Sequence, residues 1–287
     1  MSYGIALAGG GIRGAAHVGV LLALEESGLR PCAIAGTSAG GIVAGLYASG
    51  VSARQMKEIV LKAAKKGAIL ADPDVKGILT LVPRLLAQKE CALTGLLKGE
   101  RMEKVFAELT GNCKMRNLKM RTVIPSVDLC SGLTVACTNS LLGVRMLRNV
   151  QWSADMRVCE AMRATSSVPA VFQPKVIDGM YLVDGGIADV LPVDLLIAAG
   201  VPDVLAIDVS ECYEMPERMN ILEVASHSLS ITETRLRECV TRGERLMLNP
   251  DLPDTSGMLN LGQMPECMEA GYRAAKQAMP KIRRIFY

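Results

Sequence analysis

Ser38 stands at the centre of Gly36-Thr37-Ser38-Ala39-Gly40, a Gly-x-Ser-x-Gly stretch that follows a short apolar run at residues 32–35 and precedes apolar residues at helical spacing. Strand, sharp turn and helix in that order hold a serine hydroxyl out at a sheet edge, with flanking glycines because a Cβ there would crowd the neighbouring chain. The hydroxyl then lies at a helix N-terminus, where unpaired amides favour negative charge. The chemistry this suits is nucleophilic attack on a carbonyl, with Ser38 as nucleophile. A Gly/Ser turn capping an ordinary helix has the same composition, so the motif needs partners elsewhere in the chain.

Upstream, Gly9-Gly10-Gly11-Ile12-Arg13-Gly14 separates a predicted strand at residues 5–8 from a predicted helix at residues 15–26. Such a loop presents a row of backbone N–H groups, a cradle for an anion. One candidate anion is a phosphate, because Gly9-x-Gly11-x-x-Gly14 matches the dinucleotide fingerprint. That fingerprint needs an acidic residue about twenty positions on, at the end of the second strand. Here the second strand ends in Ala35-Gly36-Thr37-Ser38, and Glu25 and Glu26 fall inside the helix. The other candidate is a tetrahedral oxyanion, since consecutive parallel strands deliver their C-terminal turns to one sheet edge. Arg13 either meets a phosphate headgroup or braces the loop through an ion pair.

A serine nucleophile needs a proton acceptor, usually histidine. The chain has two. His17 shares a helical stripe with Val20, Leu21 and Leu24 and reads as core or as support behind the site. His227 follows Ser38 and Asp184 in the Ser, Asp, His order of an α/β-hydrolase. At about 100° per residue, however, it points away from Ala225 and Leu229, the apolar side of its helix. Asp184 is the remaining acceptor. It opens Asp184-Gly185-Gly186 at a predicted strand end, a pattern that also fits a plain turn. A partly desolvated carboxylate within reach of the hydroxyl is basic enough to act directly.

These residues require an α/β scaffold. Further helices are expected at residues 51–66, with Ser52 and Gln55 as a capping box, and at 100–109, 156–165, 191–200, 221–242 and 265–285. Hairpins are expected at 121–129 with 133–138, where Asp128 would bond turn amides, and at 175–177 with 180–183 around Asp178-Gly179. Buried strands are expected at 204–209 and 245–248. The proline-bounded loop 166–174 is apolar enough to line an acyl pocket. Residues 78–86 form the most apolar stretch without a clear strand partner, either core or a lid or membrane-touching segment near the site.

With 287 residues and no repeat, the chain is expected to be a single domain, 1–287. Apolar residues make up 50% and aromatics 3%, so the core must be aliphatic, and the 16 Met suggest an adaptable apolar surface. Nine Cys without metal-like spacing read as reduced thiols, which points to the cytoplasm. No run of apolar residues reaches membrane-spanning length. A net charge of +3 with so few aromatics argues against nucleic acid.

The three glycine-bearing motifs, in this order, make the chain resemble the patatin-like phospholipases, a family of lipid acyl hydrolases. The similarity covers about residues 3–199 and includes Ser167-Val168-Pro169-Ala170-Val171-Phe172. It implies a three-layer α/β/α sandwich with a mainly parallel central sheet, the serine on a strand-turn-helix elbow, and a Ser38–Asp184 dyad in place of a triad. It also implies an oxyanion hole from the amides of Gly9, Gly10, Gly11, Ile12, Arg13 and Gly14 with that of Ala39. Gly36, Gly40, Gly185 and Gly186 complete the motifs. The expected substrate is a lipid or other acyl ester, met by transient contact with a membrane surface, without metal or cofactor. The competing readings are a triad esterase using His227 and a binding module for nucleotide or lipid that lacks turnover.

Overall fold

The computed structural model describes residues 2–66, 72–75, 93–209, 221–240, 243–253 and 261–287. The apolar stretch 78–86 lies outside the described residues. The chain starts with β1 (Gly4–Leu7), a 3₁₀ turn (Gly11–Gly14), α1 (Ala15–Glu26), β2 (Ala33–Gly36), α2 (Ala39–Ala48) and α3 (Ala53–Lys66). Gly28 ends α1 with φ 74°, and the expected capping box opens α3, with the Ser52 amide donating to Gln55 Oε1 at 2.9 Å. Next come β3 (Gly95–Leu97), α4 (Glu100–Leu109), β4 (Arg121–Asp128), β5 (Thr134–Thr138), β6 (Val150–Ser153) and α5 (Val158–Thr165). The chain continues with β7 (Ala170–Phe172), β8 (Lys175–Ile177), β9 (Met180–Asp184), α6 (Val193–Ala198), β10 (Val204–Ile207), α7 (Ile221–Val240), β11 (Leu246–Leu248) and α8 (Met264–Phe286).

The main sheet runs β11-β10-β1-β2-β4-β5-β6, with β9 on β4 and β8 on β9. From β11 to β4 every pairing is parallel; β5 and β9 run against β4. It is a mainly parallel mixed sheet with helices on both faces, the α/β/α architecture expected. Its central strands are buried along their whole length, which is why they read as continuous apolar runs rather than alternating ones. On one face Gly4 leaves room for Leu196 of α6; on the other, α1 and α8 cross at backbone contact. Gly19 makes that crossing possible, because a Cβ there would lie 1.9 Å from the Met268 carbonyl oxygen. β10, β11 and α8 thus extend the same core that β1 and β2 begin.

Three strands, β3, β6 and β7, fall where none is expected. The loop 166–174 contains β7, which pairs with β3 in a small parallel sheet. β6 extends the main sheet at an edge where half-exposed side chains give no clear period.

Candidate active site

Ser38 adopts φ 53° and ψ −122°, a region that side-chain-bearing residues rarely enter. Its glycine neighbours make this geometry possible. A Cβ on Gly36 would lie 2.2 Å from the Gly40 carbonyl oxygen, and one on Gly40 would lie 2.4 Å from the Leu7 carbonyl oxygen. The strain, of order 1–3 kcal/mol, is held by bonds around it. The Ser38 amide donates to Thr165 Oγ1 at 3.0 Å, and the Thr37 amide donates to the Leu7 oxygen at 3.2 Å. Thr37 Oγ1 donates to the Asp189 carbonyl at 2.8 Å.

Asp184 reaches Ser38 through the sheet register. β2 and β9 bond the same edge of β4, β2 parallel with Ala35 opposite Val123 and β9 antiparallel with Asp184 opposite Ser126. The other edge of β4 belongs to β5. Two strands running toward each other therefore meet at their C-terminal ends. Ser38 Oγ donates to Asp184 Oδ2 at 2.6 Å, with no intermediary, and the Gly186 amide donates to Oδ1 at 2.8 Å. Asp184 is 3% exposed. Burial pushes its carboxyl up, the two hydrogen bonds pull it back, and the outcome is about 6.

The glycine loop faces this pair. Gly9 lies against the serine, and Gly14 has no side chain because a Cβ would meet that of Ala39 at 2.5 Å. Gly10 and Gly11 take φ 154° and 54°. The expected set of amide donors narrows here, because each amide has a single hydrogen. Gly9 N donates to the Val190 oxygen at 2.9 Å and Arg13 N to the Gly10 oxygen at 3.1 Å, and Gly14 ends the 3₁₀ turn. Among the described residues, the amides of Gly10, Gly11, Ile12 and Ala39 meet no acceptor in the protein. Residues 185–190 tie the motifs together, since Val190 accepts from the glycine loop and Asp189 from the elbow.

His17 is fully buried, with Nε2 bonded to the Ala8 oxygen at 2.8 Å immediately before the glycine loop. Burial pushes its imidazole down to about 4, so it is neutral and braces the loop as support behind the site. His227 falls on α7, and its side chain lies outside the described residues. Asp128 takes the turn role expected of it, accepting from the Cys130, Ser131 and Tyr181 amides.

Ser38 and Asp184 open into a narrow cleft of about 30 Å³, lined by Val168, Val190 and Leu229 among others. Val168 comes from the loop expected to line an acyl pocket. Sequence reasoning missed Glu233 of α7, which lines the same cleft. No local pattern marks it, because its place depends on how α7 packs.

A model of the patatin-like phospholipase family matches residues 5–197. An uncharacterised NTE family protein of Mycobacterium bovis is 29% identical over 192 residues, 66% of this chain and 44% of that protein. Lysophospholipase NTE1 of Candida albicans is 27% identical over 193 residues, 67% of this chain and 12% of that protein. The chain thus spans less than half the length of these relatives. Among solved structures, VipD from Legionella pneumophila aligns with 98% of this chain and 67% of its own, at 13% identity and a TM-score of 0.47. No helix among the described residues is long and apolar enough to cross a membrane. With the family model matching more than half of its length, the chain belongs to the patatin-like phospholipase family.

Proposed function

We propose that this chain is a serine hydrolase of lipid acyl esters that works through Ser38 and Asp184. The observation that carries the reading is the 2.6 Å hydrogen bond from the Ser38 hydroxyl to a buried carboxylate, next to backbone amides that have no acceptor. Ser38 Oγ attacks the ester carbonyl while Asp184 takes its proton. The tetrahedral oxyanion is received by the amides of Gly10, Gly11 and Ala39, each such donor being worth about 3 kcal/mol. Collapse expels the alcohol, to which Asp184 returns the proton. Water, giving its proton to Asp184, then attacks the acyl-enzyme; collapse breaks the bond to Ser38 Oγ, which takes the proton back from Asp184 as the fatty acid leaves. The positive φ of Ser38 aims the hydroxyl at the cleft, and the raised proton affinity of Asp184 suits a base that works near neutral pH.

The apolar lining of Val168, Val190 and Leu229 fits an acyl chain. A substrate of this kind resides in lipid surfaces, so peripheral membrane contact belongs to the proposal. The family membership and the lysophospholipase named among the relatives support a lipid ester over a polar one. The reading invokes no metal or cofactor.

The test is covalent labelling by a fluorophosphonate. Wild type is expected to be labelled and Ser38→Ala is not; labelling that survives the substitution removes Ser38 from its role. Asp184→Asn is expected to lose ester hydrolysis while His227→Ala keeps it. The reverse pattern would replace the dyad by the Ser38-Asp184-His227 triad.

A further inference from the structure

Glu233 faces the Ser38–Asp184 pair from across the cleft. It is half-buried on α7, and two observations fix its place. One turn along the helix, Arg237 Nη1 pairs with Asp208 Oδ2 at 2.6 Å, and Asn249 Nδ2 donates to the same oxygen at 3.3 Å. Asp208 is buried just beyond β10, so this contact ties α7 to the end of a core strand. The second observation is the missing side chain at Gly186. A Cβ there would lie 2.8 Å from Glu233 Oε1 and 3.2 Å from Asp184 Oδ1, so the two carboxyls flank the space a methyl would fill.

Among the described residues, the Glu233 carboxyl has no hydrogen-bond or ion-pair partner. α7 packs on the Gly185–Ile187 turn, which follows Asp184, and on β7, which has no titratable side chain. On its own helix, Arg237 is held by Asp208. Asp184 is therefore the titratable group that Glu233 meets from the elements beneath it. Burial, and after it the Asp184 charge, push Glu233 up to about 7.

Resting on the serine-hydrolase reading above, we propose that Glu233 is a positioning residue for Asp184. The two carboxyls form one electrostatically coupled pair across Gly186, in which Asp184 ionises first and serves as base while Glu233 stays neutral. The order follows from the donors. The Asp184 anion has the Ser38 hydroxyl and the Gly186 amide, whereas Glu233 has neither. Two carboxyls in one desolvated cleft ionise in succession, the second held back by the charge of the first. Once Glu233 does ionise, a second negative charge faces the place where the oxyanion forms. Turnover then falls as pH rises through about 7.

Two readouts test this. The first is kcat/KM for an uncharged short-chain alkyl ester from about pH 5 to 9. Wild type is expected to rise through about 6 and fall through about 7. Glu233→Gln, with native near-ultraviolet circular dichroism, keeps the rising limb and loses the falling one, which leaves it about 10-fold more active than wild type at about pH 8. A Glu233→Gln profile that superimposes on the wild type overturns the proposal. The second readout needs no turnover: infrared titration of the buried carboxyl band in the full chain. Wild type is expected to show a carboxyl that loses its proton through about pH 7, a step removed in Glu233→Gln and shifted to lower pH in Asp184→Asn, while the buried Asp189 carboxyl, pushed up by burial and by Asp194, adds the same background to all three. A band that Asp184→Asn leaves in place overturns the pairing. Wild type without any esterase activity would instead sink the hydrolase reading, and the infrared shift would still decide whether the two carboxyls are coupled.

Discussion

Asp128 and Asp184 end two adjacent antiparallel strands, β4 and β9, and each precedes a turn that contains glycine. They are 4% and 3% exposed. Their surroundings nevertheless drive them in opposite directions. Burial pushes the Asp128 carboxyl up, but the Ser131 hydroxyl and the Tyr181, Cys130 and Ser131 amides outweigh it and hold the group below the usual carboxylate range. Asp184 has one amide and one hydroxyl, that of Ser38, the proposed nucleophile. Burial wins there, and the carboxyl rises to about 6. Two side chains of similar exposure thus become a turn staple at one strand end and the proposed base at the other. Two things separate them: Asp184 is enclosed deep in the protein whereas Asp128 lies near its surface, and Asp128 meets more donors.

Substitutions at the two aspartates should separate activity from stability. Ser38→Ala and Asp184→Asn are expected to lower kcat at least about 1,000-fold without unfolding the protein, whereas Asp128→Ala leaves kcat per folded molecule within a few-fold. Steady-state kinetics on an acyl ester, with circular dichroism as the folding control, measures the contrast. Next in size is the pH dependence. Asp184 must be ionised to act, so kcat/KM should fall as pH drops through about 6. Asp128, held below its unfolded value of about 3.9, contributes stability that is present above that value and lost only as pH falls further. Activity should therefore fall about 10-fold by pH 5 in a chain that is still folded, and simultaneous loss of both would erase the distinction.

Third, Asp128→Ala should cost about 2 kcal/mol in urea unfolding at neutral pH, because four donors lose their acceptor. Asp184→Asn should do the opposite. Its raised carboxyl takes stability away as pH rises from its unfolded value of about 3.9 through about 6, so the amide variant should unfold at higher temperature than wild type at pH 8 and lose the advantage toward about pH 4. Smallest is Thr165→Val, which removes the acceptor for the Ser38 amide and should reduce kcat by about 10-fold or less.

The site was legible in the sequence to the extent that its chemistry imposes local backbone rules. Gly36 and Gly40 can be inferred because an elbow admits no Cβ there, and Asp184-Gly185-Gly186 because it ends a strand whose hairpin partner announces itself through Asp178-Gly179. Most helices were legible from period and caps, as with Ser52 and Gln55. The occupation of the Gly9 and Arg13 amides was not, since a glycine motif does not say which of its N–H groups already have acceptors. Nor was Glu233 legible, because its meeting with Asp184 depends on the Arg237–Asp208 pair, between residues far apart in the chain. β6 and β7 stayed hidden for a different reason. One is a half-exposed edge, and the other pairs with a three-residue strand.

The register of β4 acts as a caliper. β2 and β9 hang from Val123 and Ser126, so about 10 Å of extended chain sets the gap that the hydroxyl and the carboxylate close. A single residue inserted between those positions would widen the jaws by about 3.4 Å and turn one of them to the opposite face. Loops at the periphery carry no such constraint. The molecule is therefore free to lengthen or shorten its outer segments, and with them the surface it shows to a substrate, while the span of four core residues keeps the reacting atoms in register.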